Sequence, residues 1–454
     1  MNSTAENTAV PRRTKVWTAG TLTYSLSGII ILFCWLLLGD FAWSMKERSV
    51  YNITQLLFKT FGASDMVNAL CMGTLPSLII LILGPLVSYH SDRKRGGWGR
   101  RIPYLLVTTP IASLSMIGLA FCPLLGTKLH LLLVSSSPGQ NSLIIGFMAI
   151  CWLAFEVGTI TANTIFTALI NDVVPDTLVG RFYGLFRMFS LLAGIIFNFW
   201  LLGKAEKYYV LMFVIIGLIY GVGFLLMCFK VKEGEYPPPE AGGKGAFDGI
   251  RIYFKDCFHQ PYYCVYFVFL TLSGLVFTPV NLFSVFQAQS LNISMTDYGH
   301  YIAFTFIISL VLSWFIGVLA DRIHPLRLGI GILVLYAISG LLSGLLITNQ
   351  TTFAVAIITH CVISGMFFTG TASLGQRMLP KDRFAQLAAA GGVIGSIATV
   401  MITPLIGGVL DLSHHCYRLT YLMGSGFALL SLIPAIWVYR KFMALGGDDN
   451  YQAP

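Results

Sequence analysis

Twelve long apolar stretches, each nearly free of charge, constrain this chain more than any other feature of its sequence. They fall at about 19–42, 65–88, 103–124, 142–170, 182–203, 208–229, 262–287, 299–319, 328–347, 352–374, 385–410 and 418–439. A hydrocarbon core of ~30 Å takes roughly 20 helical residues to cross, so each stretch is long enough to span a bilayer. Composition agrees, with 56% hydrophobic and 11% charged residues and a mean hydropathy of +0.75. A closed β-barrel would alternate polar and apolar residues over segments of ~10 residues. Runs such as Leu143 to Phe155, LIIGFMAICWLAF, do not alternate. The expected fold is an all-α integral membrane protein of twelve transmembrane helices. The first apolar run is too long for the core of a cleaved signal and lacks a small-x-small site, so it reads as an uncleaved first helix.

Basic residues orient such a bundle, because they collect in cytoplasmic loops. With both termini inside, twenty-one of the 29 Lys and Arg fall in cytoplasmic segments. Seven fall in outer loops, among them Lys46, Arg48 and Lys59. Both termini are therefore expected in the cytoplasm, with the protein in a plasma or bacterial inner membrane. The net charge of +9 is then a topology signal, and a nucleic-acid partner is not implied. The nine cysteines stand singly without a C-x-x-C pair, so no disulfide or metal site is expected. One cation remains: Arg187 reads as the only Lys or Arg lodged inside a span. Its cost there, about 2.5–3.5 kcal/mol, is normally met by facing a polar cavity. A water-accessible path through the bundle follows.

The longest polar interruption, 230–261, carries Pro-Pro-Pro, Gly-Gly and mixed charges, and marks a linker. It divides the chain into a six-helix domain at 1–229 and a second at 262–454. A repeat supports the division: Asp92-Arg93 closes the second helix and Asp321-Arg322 the eighth, 229 residues apart. Parallel halves of this kind place a transporter's substrate site between them, near the bilayer midplane.

The segment GPLVSYHSDRKRGGWGRRIPYLL, residues 84–106, resembles the helix 2–3 signature of the major facilitator superfamily, G-x-x-x-D-R-x-G-R-[RK]. Ser88 stands where the first glycine is expected, and four extra residues precede Gly99-Arg100-Arg101. That longer form is similar to the glycoside–pentoside–hexuronide cation symporters and to sucrose–proton symporters, and GVLADRIHPLR looks like the second-half copy. The resemblance implies the major facilitator fold, two six-helix repeats, and alternating access by rocking of two domains. It also implies a cytoplasmic gate of Asp92, Arg93 and Arg101, with Asp172 as a fitting partner and Asp321 and Arg322 as the second copy; the plainer reading is that these residues only anchor topology. Sodium-coupled relatives carry carboxylates in the second helix. Here MVNALCMGTLPSLIILILGPLVS has none, so sodium is less supported than a proton. Sucrose–proton symporters place a carboxylate in helix 4 and an arginine in helix 5, as Glu156 and Arg187 do here.

Glu156 reads as the only carboxylate deep in a span, near the midplane. A carboxyl removed from water keeps its proton more readily, which suits a proton carrier; its plainer role is a packing hydrogen bond. Arg187 offers a rigid fork of donors to hydroxyls or carboxylates, or else snorkels to the surface. Helical rise separates the two by ~12 Å along the axis, a marginal distance for an ion pair. Asn163, Asn198, Asn281 and Trp152 are the further substrate-binding candidates. His360 reads as a proton relay or a hydrogen-bonded core histidine, and Pro279 and Pro404 as bend points in helices 7 and 11. No phosphate loop, nucleophile triad or metal cluster appears, so neither an enzyme nor an ATP-driven pump is implied and no cofactor is expected. The reading is a monomeric, proton-coupled symporter of a sugar or glycoside, with a small-molecule substrate and the lipid bilayer as its partners. An organic-anion transporter or facilitator is the runner-up. A transporter-like sensor is the alternative of another class.

Overall fold

The computed structural model describes residues 16–93, 96–235, 257–380 and 383–454. An antiparallel hairpin of β1 (Trp17–Ala19) and β2 (Leu22–Tyr24) precedes the first helix. It turns at Gly20, whose φ of +55° suits a residue without a Cβ. Helix α1 then runs through Leu26–Thr60, capped by Ser25, whose Oγ accepts the Gly28 N–H at 3.2 Å. Both expected limits, 19 and 42, are thus corrected. The first gives way to the hairpin. The second fails because Asp40 and Lys46 are buried in the protein and Glu47 and Arg48 line an internal cavity, so charge does not end the helix there.

The remaining helices follow in order. They are α2 (Asp65–Ala69 and Leu75–Arg93, joined by a π turn at Leu70–Thr74), α3 (Ile102–Leu133), α4 (Gln140–Val173), α5 (Asp176–Ile196, prolonged by a π turn at Phe197–Leu201) and α6 (Ala205–Lys230). The later set is α7 (Pro261–Leu275 and Thr278–Ser290), α8 (Met295–Ile323), α9 (Pro325–Leu346), α10 (Gln350–Gly370), α11 (Phe384–Leu412) and α12 (Leu419–Ala444). Among the described residues, 11 runs are long and apolar enough to cross a bilayer, and one, Thr177–Lys230, holds both α5 and α6. The protein is an all-α integral membrane protein. Helix α7 breaks just before Pro279, which has no N–H to return to the preceding turn. Pro404 sits inside α11 without ending it.

The two sets of helices use one packing device. In the first, Ser113 of α3 donates to the Gly217 carbonyl of α6 at 2.7 Å. In the second, Ser425 of α12 donates to the Ala337 carbonyl of α9 at 2.6 Å. Small residues at these crossings let backbones approach, which is how helices gain contact where lipid supplies no hydrophobic drive. Residues 236–256, most of the expected linker, lie outside the described residues.

On the face opposite the chain ends, the two sets close on each other. The fully buried Asp65 carboxylate, at the start of α2, accepts from His415 Nδ1 at 2.7 Å and from the Tyr417 hydroxyl at 2.9 Å. Burial, then the adjoining Asp65 charge, pushes the Tyr417 hydroxyl pKa up, which keeps it a donor. Asp411 accepts the backbone N–H groups of Asp65 and Met66 at 2.9 and 3.0 Å, filling the orphan donors of α2. Gln55 and Asn68 both donate to the Leu282 carbonyl at 2.9 Å. A second seam presses Gly299 of α8 onto the Asn198 carbonyl. On the face bearing the chain ends, the ion pairs Arg100–Asp172, Arg101–Asp172, Arg327–Asp448 and Arg377–Asp321 each stay within one set of helices. The interior is thus shut on the far face by contacts that join the two sets.

A Cβ at Gly407 would stand 2.7 Å from the Asp65 carbonyl oxygen. Gly407→Val should wedge this seam apart and speed amide hydrogen exchange at 65–69 and 407–412. Unchanged exchange there would contradict the close approach.

Candidate functional site: a central cavity and a charged side chamber

Between the two sets of helices lies a cavity of about 740 Å³. Its polar lining includes Glu47, Arg48, Arg187, Asn198, Asn281 and Tyr298, from α1, α5, α7 and α8. Beside it is a chamber of about 220 Å³ lined by Trp43, Lys46, Trp152, Glu156, Thr159 and Asn163. Glu47 and Tyr51 line both, so the two spaces adjoin.

Helix α1 supplies charge to both through its spacing. Glu47 and Tyr51, and Arg48 and Asn52, are four apart and stand one turn above the other on one face. That face fronts the cavity. Lys46, one position away, turns into the chamber and is wholly buried. Its ammonium lies 3.5 Å over the Trp43 ring and 3.3 Å from Thr159 Oγ1, one turn beyond Glu156 on α4. Glu156 is itself only 8% exposed. A buried cation of this kind is tolerable only with counter-charge and aromatic faces around it; Glu47 and Glu156, which line the same chamber, both act on it electrostatically, and Trp43 supplies the face.

Arg187 is therefore not the only cation within a span. Lys46, Arg48 and Lys59 belong to α1 rather than to an outer loop. Nor is Glu156 the only carboxylate there, since Asp40 and Glu47 lie in α1 and Asp40 is fully buried. Charges that face a protein-lined space look, in sequence, like the end of a span. The four-residue spacing was the signal that could have found them.

The expected site residues divide between the two spaces. Glu156, Asn163 and Trp152 line the chamber; Arg187, Asn198 and Asn281 line the cavity. Glu156 and Arg187 thus serve different compartments and form no ion pair. Trp152 donates its Nε1–H to the Cys71 carbonyl of α2 at 2.8 Å, so it positions α4 as well as walling the chamber. Asn198 donates to the Gly194 carbonyl at 2.8 Å and leaves its Oδ1 without a partner. His360 is buried in the core: Tyr336 meets its Nδ1 at 2.7 Å, and its Nε2 meets Asn281 Oδ1 at 3.1 Å. An acceptor at Nε2 and a hydroxyl at Nδ1 call for the Nε2–H tautomer. The histidine thereby fixes Asn281 at the break of α7.

Among the described residues, one grouping brings metal-ligating atoms within 4.8 Å, namely Asp65, Asp411 and His415. Its atoms are engaged in the far-face seam.

Residues 200–400 and 281–444 match the Major Facilitator Superfamily, and together they cover more than half of the chain. The chain belongs to the Major Facilitator Superfamily. It is a membrane transporter and not an enzyme. Solved members with this architecture include a bacterial homologue of the human lysosomal transporter Spinster, inward-facing and unoccupied (14% identity, 94% of this chain and 98% of that one, TM-score 0.67). Others are a D-xylose–proton symporter (13%, 91% and 97%, TM-score 0.65) and the nucleoside transporter NupG (11%, 90% and 99%, TM-score 0.61). At these identities the likeness is one of fold. No curated protein matches the chain.

The superfamily's signature loop is tied down within the first set of helices. Arg100 grips Asp172 with two bonds, at 2.7 and 3.1 Å, and Arg101 adds a third at 3.1 Å. The backbone N–H groups of Arg100, Arg101 and Ile102 all donate to the Glu233 carboxylate, at 2.9, 2.8 and 2.7 Å. An anion at a helix start satisfies the free donors of α3 and complements its dipole. Gly99, at φ +86°, is required: a Cβ there would stand 2.5 Å from the Glu233 carboxyl carbon. In the second copy Asp321 pairs with Arg377 at 2.6 Å, and Arg322 is exposed. The side chains of Asp92 and Arg93 lie outside the described residues.

Lys46 and Glu156 share one buried chamber, and removing either leaves the other with less compensating charge there. Lys46→Met and Glu156→Gln should each lower the thermal midpoint of the purified protein. The double variant should unfold higher than either single one. Additive losses would mean that the two charges do not sense each other.

Proposed function

We propose that the protein is a proton-coupled symporter of a small polyhydroxylated solute, of the sugar or glycoside class, working by alternating access. The observation that carries this reading is the Glu156–Lys46 chamber, which adjoins the solute cavity through Glu47 and Tyr51. When Glu156 carries a proton, Lys46 keeps Glu47 as its one charged neighbour in the chamber and leans toward the cavity side. When Glu156 releases the proton, the ammonium is drawn back toward α4. Solute in the cavity competes for the same Glu47 edge, so occupancy and protonation bias one another. The cavity supports a polyhydroxylated solute with amides and hydroxyls at Asn198, Asn281 and Tyr298 and aromatic faces at Phe186 and Phe306. Two conformations follow from the seam. Breaking the Asp65–His415 and Asp65–Tyr417 bonds opens the far face, while closure on the near face brings the signature loops together. With the termini in the cytoplasm, as the basic residues indicate, the present state faces inward.

Reconstituted protein facing a sugar panel provides the test. Wild type should alkalinise the external medium on addition of a transported sugar. Glu156→Gln should abolish that signal while still exchanging solute across the bilayer. Normal proton movement in the variant would remove Glu156 from the mechanism.

A further inference from the structure

The cavity holds more positive charge than a neutral solute requires. Arg48 and Arg187 line it together, against Glu47 as its only carboxylate among the lining residues. Arg48 Nη2 lies 3.5 Å from Ser190 Oγ, one turn along α5 from Arg187. The two cations thus share one patch, and each acts on the other electrostatically. Neither is fully paired within the protein, Arg187 standing exposed to the cavity. Arg48 Nε is buried without a hydrogen-bond partner, and its guanidinium rests 5.1 Å from the Phe306 ring centre. Arg187 makes one long contact, 3.5 Å to Thr369 Oγ1 across the interface. Glu47 is already engaged, accepting the Trp43 Nε1–H at 3.1 Å on the chamber side.

Unpartnered guanidinium donors inside a membrane are costly and persist where a ligand completes them. Guanidinium forks match planar or tetrahedral oxyanions, and two on adjoining helices accept one such group between them. We propose that the transported solute carries an oxyanion, a carboxylate or phosphate, which bridges Arg48 of α1 and Arg187 of α5. The inference rests on the transport reading and narrows its solute. Arg48 and Arg187 read the charged group, and the amides and hydroxyls of α5, α7 and α8 read the remainder. Binding would draw α5 toward α1 and release Arg187 from Thr369, its one contact with the second set of helices.

Calorimetry on the purified full-length protein with a matched set, glucose, glucuronate and glucose 6-phosphate, provides the test. Glucuronate or glucose 6-phosphate should bind at least about tenfold more tightly than glucose, as a charge-assisted pair gains over a neutral one. Arg48→Gln and Arg187→Gln should each remove most of that preference, lowering affinity for the anions far more than for glucose. Arg48→Lys, which keeps the charge and loses the fork, should restore it in part. Equal binding of all three probes, no binding by either anion at millimolar concentration, or equal losses for glucose and the anions would each overturn the proposal. Which anion binds separates carboxylate from phosphate as the source. Lactate serves as a further arm. If it binds as tightly as glucuronate, the oxyanion site stands and the sugar reading falls. If glucose alone binds and drives proton movement, symport stands and the oxyanion site falls.

Discussion

The buried charge on α1 is the constraint around which this bundle is organised. Lys46, Glu47 and Arg48 are consecutive, and consecutive residues on a helix point in directions about 100° apart. Three charges in a row therefore cannot share one partner or one pocket. The fold answers with two adjoining spaces: a chamber for Lys46, walled by tryptophan and shared with Glu156, and a cavity for Arg48. Glu47 lies at the join. Facing lipid, none of these charges would be tolerable, so each is turned toward a protein-lined space.

How legible this was follows from what each residue faces. Spans with no charge inside their apolar run, such as α9 and α11, were read within a few residues of their observed limits, because a bilayer demands an unbroken apolar run. Helix α1 was read eighteen residues short at its far end, since a charged stretch facing protein is indistinguishable by hydropathy from a loop. The residues that line the two spaces from α4, α5 and α7 were found, because an isolated Glu, Arg or Asn inside a span is conspicuous. Their division between chamber and cavity was not, for it depends on the azimuth of each helix, which packing sets. The far-face seam was beyond reach altogether. Asp65 and His415 are 350 positions apart, and each reads as an ordinary polar residue at a helix end.

The repeat is older in the backbone than in the side chains. Both halves retain a serine-to-carbonyl bond at the same helix crossing, Ser113 with Gly217 and Ser425 with Ala337, although donor and acceptor helices are exchanged. The acidic–basic turns have diverged further. In the first half two arginines clasp Asp172 at the end of α4, whereas in the second an arginine after α10 reaches back to Asp321. The helix crossing is kept in both sets of helices, while the charged contacts at the acidic–basic turns differ.

The clasp of Glu233 on the start of α3 has a mechanical meaning. Glu233 stands only three residues past the end of α6, where the connector to the second half begins. Three backbone bonds pin that point to the base of the signature loop. Any load that reaches residue 233 from beyond it therefore falls on the base of α3 as well as on the last turn of α6.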